Sequence, residues 1–572
     1  MPLSIAANPV VDHLTGVHTL SRFYDTLPRE QATPFLETVR RELGLACTVS
    51  DDDLARIPRT GPVVVVANHP FGAAEGIVLA RILGSVRTDV RVLANQLLGR
   101  IPELRDDFIL VDPFHATPNA TNIRGLRHAL AHVARGGMLA VFPAGTVSHL
   151  QLDRMTVDDA RWSPNIARLV RRTKATVLPV YFPGTNGPLF QLAGLLHPAL
   201  RTALLPHALL DRRHTRMEMR IGRPIEWSRL AHLDDDDALI LHLRRRTYVL
   251  RHRDAHAPHN AAAQHDAVPK PRGPRAPIAP PRPSRMLARE VSALPALASS
   301  GALDVFVASA DRIPNVLQEI GRLRELTFRD AGEGTGNASD LDAFDSYYQH
   351  LFLWNRDREE VAGAYRLGVV APILGKYGIG GLYTSTLFRY KAEFFRQLGR
   401  NAVELGRSWI RAEYQKSYAP LLLLWKGIGA FVVANPDACV LFGPASISNE
   451  YEASSRALMA RYLTDDVHAR DLAAHVRPRA PFRLPACERA ADFDELQELL
   501  LEIENGRRGV PVLLRQYLNI GARVAALNVD RNFSDVLDAL VVVDLRTTPD
   551  KTLARYLTAE GARAFRAHHQ RS

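Results

Sequence analysis

The stretch from Arg251 to Arg285, RHRDAHAPHNAAAQHDAVPKPRGPRAPIAPPRPSR, constrains the fold more than any motif. It consists largely of Pro, Ala, His and Arg and has almost no large apolar side chains. Such a segment cannot bury enough surface to offset the entropy of ordering it, so it reads as a semi-extended tether. At 572 residues the chain is also too long for one core. The expectation is two folded parts, residues 1–250 and 286–572, joined by 251–285. The tether histidines His252, His256, His259 and His265 lack paired ligand spacing, so no metal site is expected there or elsewhere.

Both parts mix short apolar runs with amphipathic stretches, which predicts an α/β fold class. Before the tether, Val63–Ala67, Met138–Phe142, Val177–Phe182 and Arg216–Ile221 read as strands, and Gly76–Leu83, Thr121–Val133 and Ile166–Arg172 as helices. After it, Leu303–Ser309, Glu360–Leu367, Ala438–Ile447 and Leu540–Leu545 read as strands, and Ile313–Phe328 and Tyr390–Leu398 as helices.

The net charge of +11 favours acidic partners: anionic lipid headgroups, an acidic carrier protein or nucleic acid. Nucleic acid is set aside because the basic residues are dispersed and no stacking motif accompanies them. Cys47, Cys439 and Cys487 lie far apart and read as buried thiols in a reducing compartment. The first residues, MPLSIAAN, show no basic region followed by an apolar core, so no signal peptide is expected. The longest apolar run, Ala419 to Ala434, contains Lys426 and falls short of the ~20 residues that span a bilayer. Any membrane contact is therefore expected to be peripheral.

The first chemistry-bearing segment is Val63-Val-Val-Val-Ala-Asn68-His69-Pro-Phe-Gly-Ala-Ala-Glu75-Gly76. Its polar residues follow a buried strand, at the end where sites form in open α/β sheets. A helix start then brings Glu75 within reach of His69. A histidine oriented by a carboxylate can deprotonate a hydroxyl. The alternative is a capping histidine with a first-turn glutamate.

Two later segments, Phe142-Pro143-Ala144-Gly145-Thr146 and Val177-Leu-Pro179 through Pro183-Gly184-Thr185-Asn186, follow in an order and spacing that resembles the glycerolipid acyltransferase family, over roughly residues 50–225. The resemblance implies that His69 and Glu75 are the catalytic pair. It implies that Asn68, Phe142, Pro143, Gly145 and Thr146 shape the acceptor site, with backbone N–H groups near Gly145 and Thr146 as oxyanion donors. The family's usual spacing would place the acid at position 74, here Ala74, and its usual Glu in the second block is Ala144. The later acid resembles the branch that acylates lyso-aminolipids, as does Ala94-Asn95-Gln-Leu-Leu-Gly99-Arg100-Ile-Pro102-Glu103-Leu-Arg105 through Val111-Asp112-Pro113-Phe114. A phosphate-free acceptor is the expectation. Arg100 and Arg105 read as substrate or carrier contacts, or as solvated surface.

After the tether come Arg324-Glu-Leu-Thr-Phe328, Asp342-Ala-Phe344-Asp345, Tyr365-Arg366-Leu367 and Glu404-Leu405-Gly406-Arg407. Each has a bland reading. Arg324 and Phe328 share a helix face by i, i+4 spacing, the aspartates suit a turn, and Glu404 with Arg407 suits a surface pair. The ordered set resembles the GNAT-fold branch of acyl-homoserine-lactone synthases and ornithine N-acyltransferases. There these elements form the site, which implies Glu404 as base or amine-binding carboxylate. Arg407 and Arg366 would orient it or contact the carrier-bound chain, and Asp342 and Asp345 would bind the cationic amino acid or fix the loop. The blocks AFDSYYQHL, ELGRSWI, LLLLWKGIGAF and LFGPASIS look like the ornithine lipid branch, and residues 485–572 like its extended form. The coenzyme A loop of other GNAT enzymes has only a poor copy, Gly375-Lys-Tyr-Gly378-Ile-Gly380. That points to acyl-carrier-protein thioesters as donors and to no bound cofactor.

The fusion resembles the bifunctional ornithine lipid synthases. It implies a glycerolipid-acyltransferase-like α/β domain followed by a GNAT-like mixed α/β domain. The implied route N-acylates ornithine with a 3-hydroxyacyl chain, then O-acylates the lyso-ornithine lipid so formed, with the tether favouring transfer between the two steps. The expected location is cytoplasmic, peripheral on the inner face of a bacterial cytoplasmic membrane and against its anionic surface. Alternatives are another amino acid such as glycine or lysine, phospholipid acylation, and a haemolysin-like membrane-active protein.

Overall fold

A strand run as apolar as Val63–Ala67 has to be covered on both faces, and in the structure it is. The computed structural model describes residues 15–570 except 29–33, 96–97, 99–100, 105–106, 112–119, 153–154, 197–199, 201–202, 254–275, 400, 486 and 532. The expectations for His256, His259, His265, Arg100, Arg105 and 112–114 therefore lie outside the described residues. The chain divides into two compact units, Met1–Ala257 and Pro258–Ser572.

The first unit holds a six-stranded sheet. Its order is Arg220–Ile221, Thr176–Tyr181, Val63–Ala67, Met138–Val141, Val90–Asn95, Phe108–Val111. All neighbours are parallel except the edge pair of Arg220–Ile221 with Thr176–Tyr181. Parallel strands buried on both faces carry near-continuous apolar sequence. Val63, Val65 and Ala67 pack in one core with Ile77, Val78 and Leu83 of the helix Ala73–Gly84. Val64 and Val66 pack in a second core. There they meet Ala129 and Val133 of Ala120–Ala134, Ile166 and Val170 of Pro164–Thr173, and Leu239 and Leu243 of Asp236–Tyr248. The expected single strand Arg216–Ile221 is instead two. Arg216–Glu218 pairs in parallel with Ala46–Thr48, and the chain then crosses to Tyr181 and Val180.

The second unit is built on an eight-stranded sheet. Its order is Ala298–Ser300, Leu303–Ser309, Gln349–Asn355, Glu360–Val369, Val403–Ile410, Val440–Ile447, Val536–Asp544, Arg523–Asp530. Every pairing is antiparallel except that of Val403–Ile410 with Val440–Ile447, which is registered only at Val403↔Leu441 and Glu404↔Phe442. Beyond that point the two strands part. Gly443 allows the close approach before they do, since a Cβ there would fall 2.0 Å from the Leu405 carbonyl oxygen. The register between Glu360–Val369 and Val403–Ile410 shifts between Ala364 and Arg366, and Arg407 has φ +50°. This bulge re-aims side chains at mid-sheet. The apolar run Ala419–Ala434 is a helix packed through Gly427 on Val305 and Leu351, and through Gly429 on the Tyr556 carbonyl.

No described helix is long and apolar enough to cross a membrane. The three cysteines are free but half-buried rather than buried, and burial pushes the Cys47 thiol up to about 12.

Candidate active sites

In the first unit the strand Val63–Ala67 ends at Asn68, which continues the sheet pairing through its side chain. Its Nδ2 donates to Phe182 O at 2.9 Å, and its Oδ1 accepts from Phe182 N–H at 2.7 Å. Next, His69 stacks on Phe142 with ring centroids 4.3 Å apart. Gly72, with φ +101°, turns the chain into the helix Ala73–Gly84, and Glu75 sits at its third position. Glu75 is fully buried and its Oε1 accepts from the Phe71 and Gly72 N–H groups at 2.9 and 2.8 Å. A carboxylate is favoured at this helix end. The His69 Nδ1 lies 2.9 Å from the same oxygen. No hydrogen bond forms at Nδ1, so the pair is an ion-pair-range contact. The His69 side chain is 17% exposed, leaving the imidazole open to an acceptor. One oxygen of Glu75 thus caps the helix start and also lies within ion-pair range of His69.

Of the other expected contacts, the Gly145 N–H closes a turn onto Phe142 O at 3.0 Å with φ +66°, so it is not aimed at a substrate. Pro143 O accepts from Ser163 N–H at 2.9 Å. The Thr146 hydroxyl is buried without a protein partner.

Sequence reading missed Asp159. Its Oδ1 accepts from His69 N–H at 3.2 Å and from the Ser148 hydroxyl at 2.5 Å, and its Oδ2 from Trp162 Nε1 at 2.9 Å. Ser148 N–H in turn donates to His69 O at 2.7 Å. Both main-chain polar groups of His69 are therefore clamped. Burial pushes the Asp159 carboxyl up, against the pull of these donors. Arg212, whose guanidinium lies 3.8 Å from the Phe71 ring centroid, was missed too. The loop Asp158-Asp159-Ala160-Arg161 gives no local signal for the role of Asp159.

In the second unit the expected residues meet in one buried charge network. Arg324, on the helix Pro314–Asp330, donates from Nε to Asp340 Oδ2 at 2.9 Å and from Nη1 and Nη2 to the two Asp345 oxygens at 3.2 and 2.8 Å. Arg366 Nη1 lies 2.6 Å from Asp342 Oδ1 and 3.1 Å from Asp345 Oδ1. Arg407 lies 3.7 Å from both Asp340 and Asp342. Asp342 and Asp345 also cap their own turn, Asp342 accepting from Phe344 N–H and Asp345 from Asp342 N–H. Burial opposes ionisation of Asp345, yet Arg324 and Arg366 together hold its carboxyl well below the usual range. Burial likewise opposes the Arg366 charge, and Asp345 and Asp342 more than restore it. Phe328 packs edge-on against Phe533 at 5.3 Å.

Glu404 is elsewhere. It is buried, and accepts from the Tyr348 hydroxyl and from the Tyr383 and Thr384 N–H groups, the last two at 3.1 and 2.7 Å. The ion pairs of Arg407 are with Asp340 and Asp342, so Glu404 and Arg407 do not form the surface pair their spacing allows. The Arg366 guanidinium sits 5.1–5.5 Å from the Phe344, Tyr348 and Tyr383 ring centroids. Its Nη2 and the Arg407 Nε are buried without hydrogen-bond partners. Buried donors of this kind are the open valences of the site.

Asp538 and Glu333 also went unread. Burial pushes each carboxyl up to about 7, with Asp530 and Glu333 adding to the effect at Asp538 and Glu450 at Glu333. Among the described residues no group of three or more His, Cys, Asp or Glu is placed to hold a metal ion.

Residues 13–256 match a family model described as Acyltransferase, and residues 323–425 one described as Acetyltransferase (GNAT) domain. A glycine N(alpha)-acyltransferase of Bacteroides thetaiotaomicron is 30% identical over 262 residues, 42% of this chain and 77% of the relative. A lyso-glycine lipid O-acyltransferase of Phocaeicola vulgatus is 26% identical over 222 residues, 38% of this chain and 77% of the relative. An L-ornithine N(alpha)-acyltransferase of Rhodobacter capsulatus is 27% identical over 245 residues, 40% of this chain and 86% of the relative. The chain is an acyltransferase and belongs to the N(alpha)-acyltransferase family that includes the glycine enzyme.

Proposed function

We propose that the chain makes a diacylated amino-acid lipid in two steps. In the second unit an amino-acid α-amine attacks the thioester carbonyl of a 3-hydroxyacyl chain on acyl carrier protein. The C–N bond forms, the C–S bond breaks, and the thiol leaves with a proton. In the first unit His69 takes the proton of the 3-hydroxyl, and the oxygen attacks a second acyl thioester. The ester forms, and the departing thiolate recovers the proton from the imidazolium. Glu75 holds the imidazole and offsets its charge. The observation that carries this reading is the His69–Glu75 contact of 2.9 Å at the end of a parallel strand, with the imidazole partly exposed and the carboxylate buried.

We assign ornithine as the amino acid. This reading is supported by the L-ornithine N(alpha)-acyltransferases among the relatives. Glycine is the second reading, supported by the glycine N(alpha)-acyltransferases among the relatives. In either case the chain works peripherally, against the inner face of the cytoplasmic membrane, where carrier protein and lipid meet.

The test is expression in a bacterium that lacks aminolipids, with labelled ornithine or glycine and separation of total lipids. The label that enters a new ninhydrin-positive lipid names the amino acid, and no such lipid with any feed defeats the proposal. His69→Ala should accumulate the monoacyl lipid and Glu404→Ala should abolish both products. A diacyl product undiminished by His69→Ala removes the first-unit assignment.

A further inference from the structure

Scattered exposed leucines are ordinary on a soluble protein, whereas a contiguous group is not. Among the described residues, four of the five most exposed large apolar side chains fall on two neighbouring elements of the first unit: Met155 at 74%, Leu152 at 64%, Leu192 at 60% and Leu189 at 57%. The fifth, Val512, is in the second unit at 59%. Leu152 and Met155 belong to the turn between the strands His149–Gln151 and Thr156–Asp158. Leu189 and Leu192 stand on the helix Pro188–Leu196, whose sequence PLFQLAGLL carries no charge. Hairpin and helix are locked together, because Leu150 N–H donates to Gln191 Oε1 at 2.9 Å. Phe190 and Gln191 face inward, with Phe190 packed on Val147 and Ala208. Among the described side chains of the helix, Leu189 and Leu192 are the large apolar ones left exposed.

This platform is wired to the His69 site. Gln191 Nε2 donates to Asn186 O at 3.3 Å, Asn186 Nδ2 to Phe71 O at 3.4 Å, and Phe71 N–H to Glu75 Oε1 at 2.9 Å. From Pro183 to Leu210 the chain has no carboxylate and one arginine, Arg201, in a protein of net charge +11. The hairpin sequence adds Asp153 beside Arg154, and Asp158, which is paired with Arg244 at 2.9 Å. Adaptable apolar side chains in a setting with no excess of anionic charge match the interface of an anionic bilayer.

We propose that Leu152 and Met155 of the hairpin, with Leu189 and Leu192 of the helix Pro188–Leu196, form the membrane-docking surface of the first unit and insert among the lipid headgroups. The His69 site then opens at the depth where the hydroxyl of a monoacylated aminolipid lies. This extends the reading of the first unit as a lyso-lipid O-acyltransferase and rests on it only for the identity of the acceptor.

The experiment is flotation of the full chain with phosphatidylethanolamine–phosphatidylglycerol vesicles. Wild type and the control Val512→Ser should float. Leu152→Ser/Met155→Ser and Leu189→Ser/Leu192→Ser should each weaken vesicle binding about tenfold or more, as expected for withdrawing two large apolar side chains from the interface, and the fourfold variant should stay unbound. Wild type that does not float, or double variants that float like it, overturns the docking surface. So does a lipid-free dimer lost in Leu189→Ser/Leu192→Ser while flotation is unchanged, since that gives the patch to a second copy. O-acyl transfer to a short-chain, fully soluble acceptor separates the two readings. Flotation lost in the variants with no transfer by wild type leaves docking standing and removes the acyltransfer assignment. Transfer intact with flotation unchanged removes docking alone.

Discussion

Asp538→Asn is the perturbation that tests the electrostatics of the second unit most directly. Asp538 lies on the strand Val536–Asp544, is 3% exposed, and accepts a 2.7 Å hydrogen bond from Ser446, its cross-strand partner. Burial is the largest influence on its carboxyl, Asp530 and Glu333 add to it, and Ser446 and Arg407 oppose it, leaving it near 7 against an ordinary 3.8. The raised value means that the folded state holds this proton more tightly than the unfolded chain does. Asp538 therefore costs little below the ordinary carboxylate range, and an increasing amount as pH climbs through 7. With 1.36 kcal/mol per pH unit, the penalty is about 1.5 kcal/mol at about pH 5 and about 4 kcal/mol at about pH 8.5. Asparagine keeps the size and can still accept from Ser446, but it does not titrate. The stability of Asp538→Asn relative to wild type should thus rise by about 2.5 kcal/mol between those pH values. Urea unfolding followed by tryptophan fluorescence reads this as a growing separation of midpoints in the transition that reports Trp354, Trp409 and Trp425, all in the second unit. A separation independent of pH, or largest at low pH, would refute the reasoning.

Three further substitutions have defined outcomes. Asp159→Asn must turn an amide N–H towards the donors of Ser148, Trp162 or His69; kcat for O-acyl transfer should fall by tenfold or more, about 1–3 kcal/mol, with KM little changed in steady-state kinetics. Gly443→Ala puts a Cβ 2.0 Å from Leu405 O and should cost about 3 kcal/mol or more, seen as a lower thermal midpoint of the second unit. Glu404→Gln faces an amide against the Tyr348, Tyr383 and Thr384 donors; N-acyl transfer should drop while O-acyl transfer to supplied acceptor is retained, and a denaturation midpoint should register about 1–3 kcal/mol lost.

How well an element could be read depended on how its sequence signal was carried. Val63–Ala67 is legible because a central parallel strand buries both faces. Val90–Asn95 and Phe108–Val111, farther out in the same sheet and partly exposed, alternate too weakly to stand out. Helix spans in the first unit were read short, at Gly76–Leu83 against Ala73–Gly84, because the apolar period starts later than the cap. The one-residue offset of Glu75 is resolved by Gly72. Its positive φ starts the helix so that position 75 faces His69, while Ala74 points into the core.

The two sites differ for a related reason. In the first, His69 and Glu75 are six residues apart by number, and one strand end and one helix start bring them together, so spacing alone carries the geometry. Its supports, Ser148 and Asp159, arrive from a separate loop and leave no spacing to read. In the second, the arginine and aspartate candidates are members of a network drawn from a helix, a turn and two strands, and Glu404 stands outside it. Each arginine is ion-paired with aspartates that lie far from it in sequence, Arg366 with Asp342 and Asp345, and Arg407 with Asp340 and Asp342. Local spacing allowed a pair of Glu404 with Arg407, but the bulge at Arg407 sends that guanidinium to the aspartates and leaves Glu404 to Tyr348. A buried ion pair that loses one member strands the other, at about 3–5 kcal/mol. The aspartates are therefore as binding on the position of Arg366 and Arg407 as the strands that carry them. A network of this kind determines where each charge may sit, but only its assembled form shows which of its members still has a donor to offer a substrate.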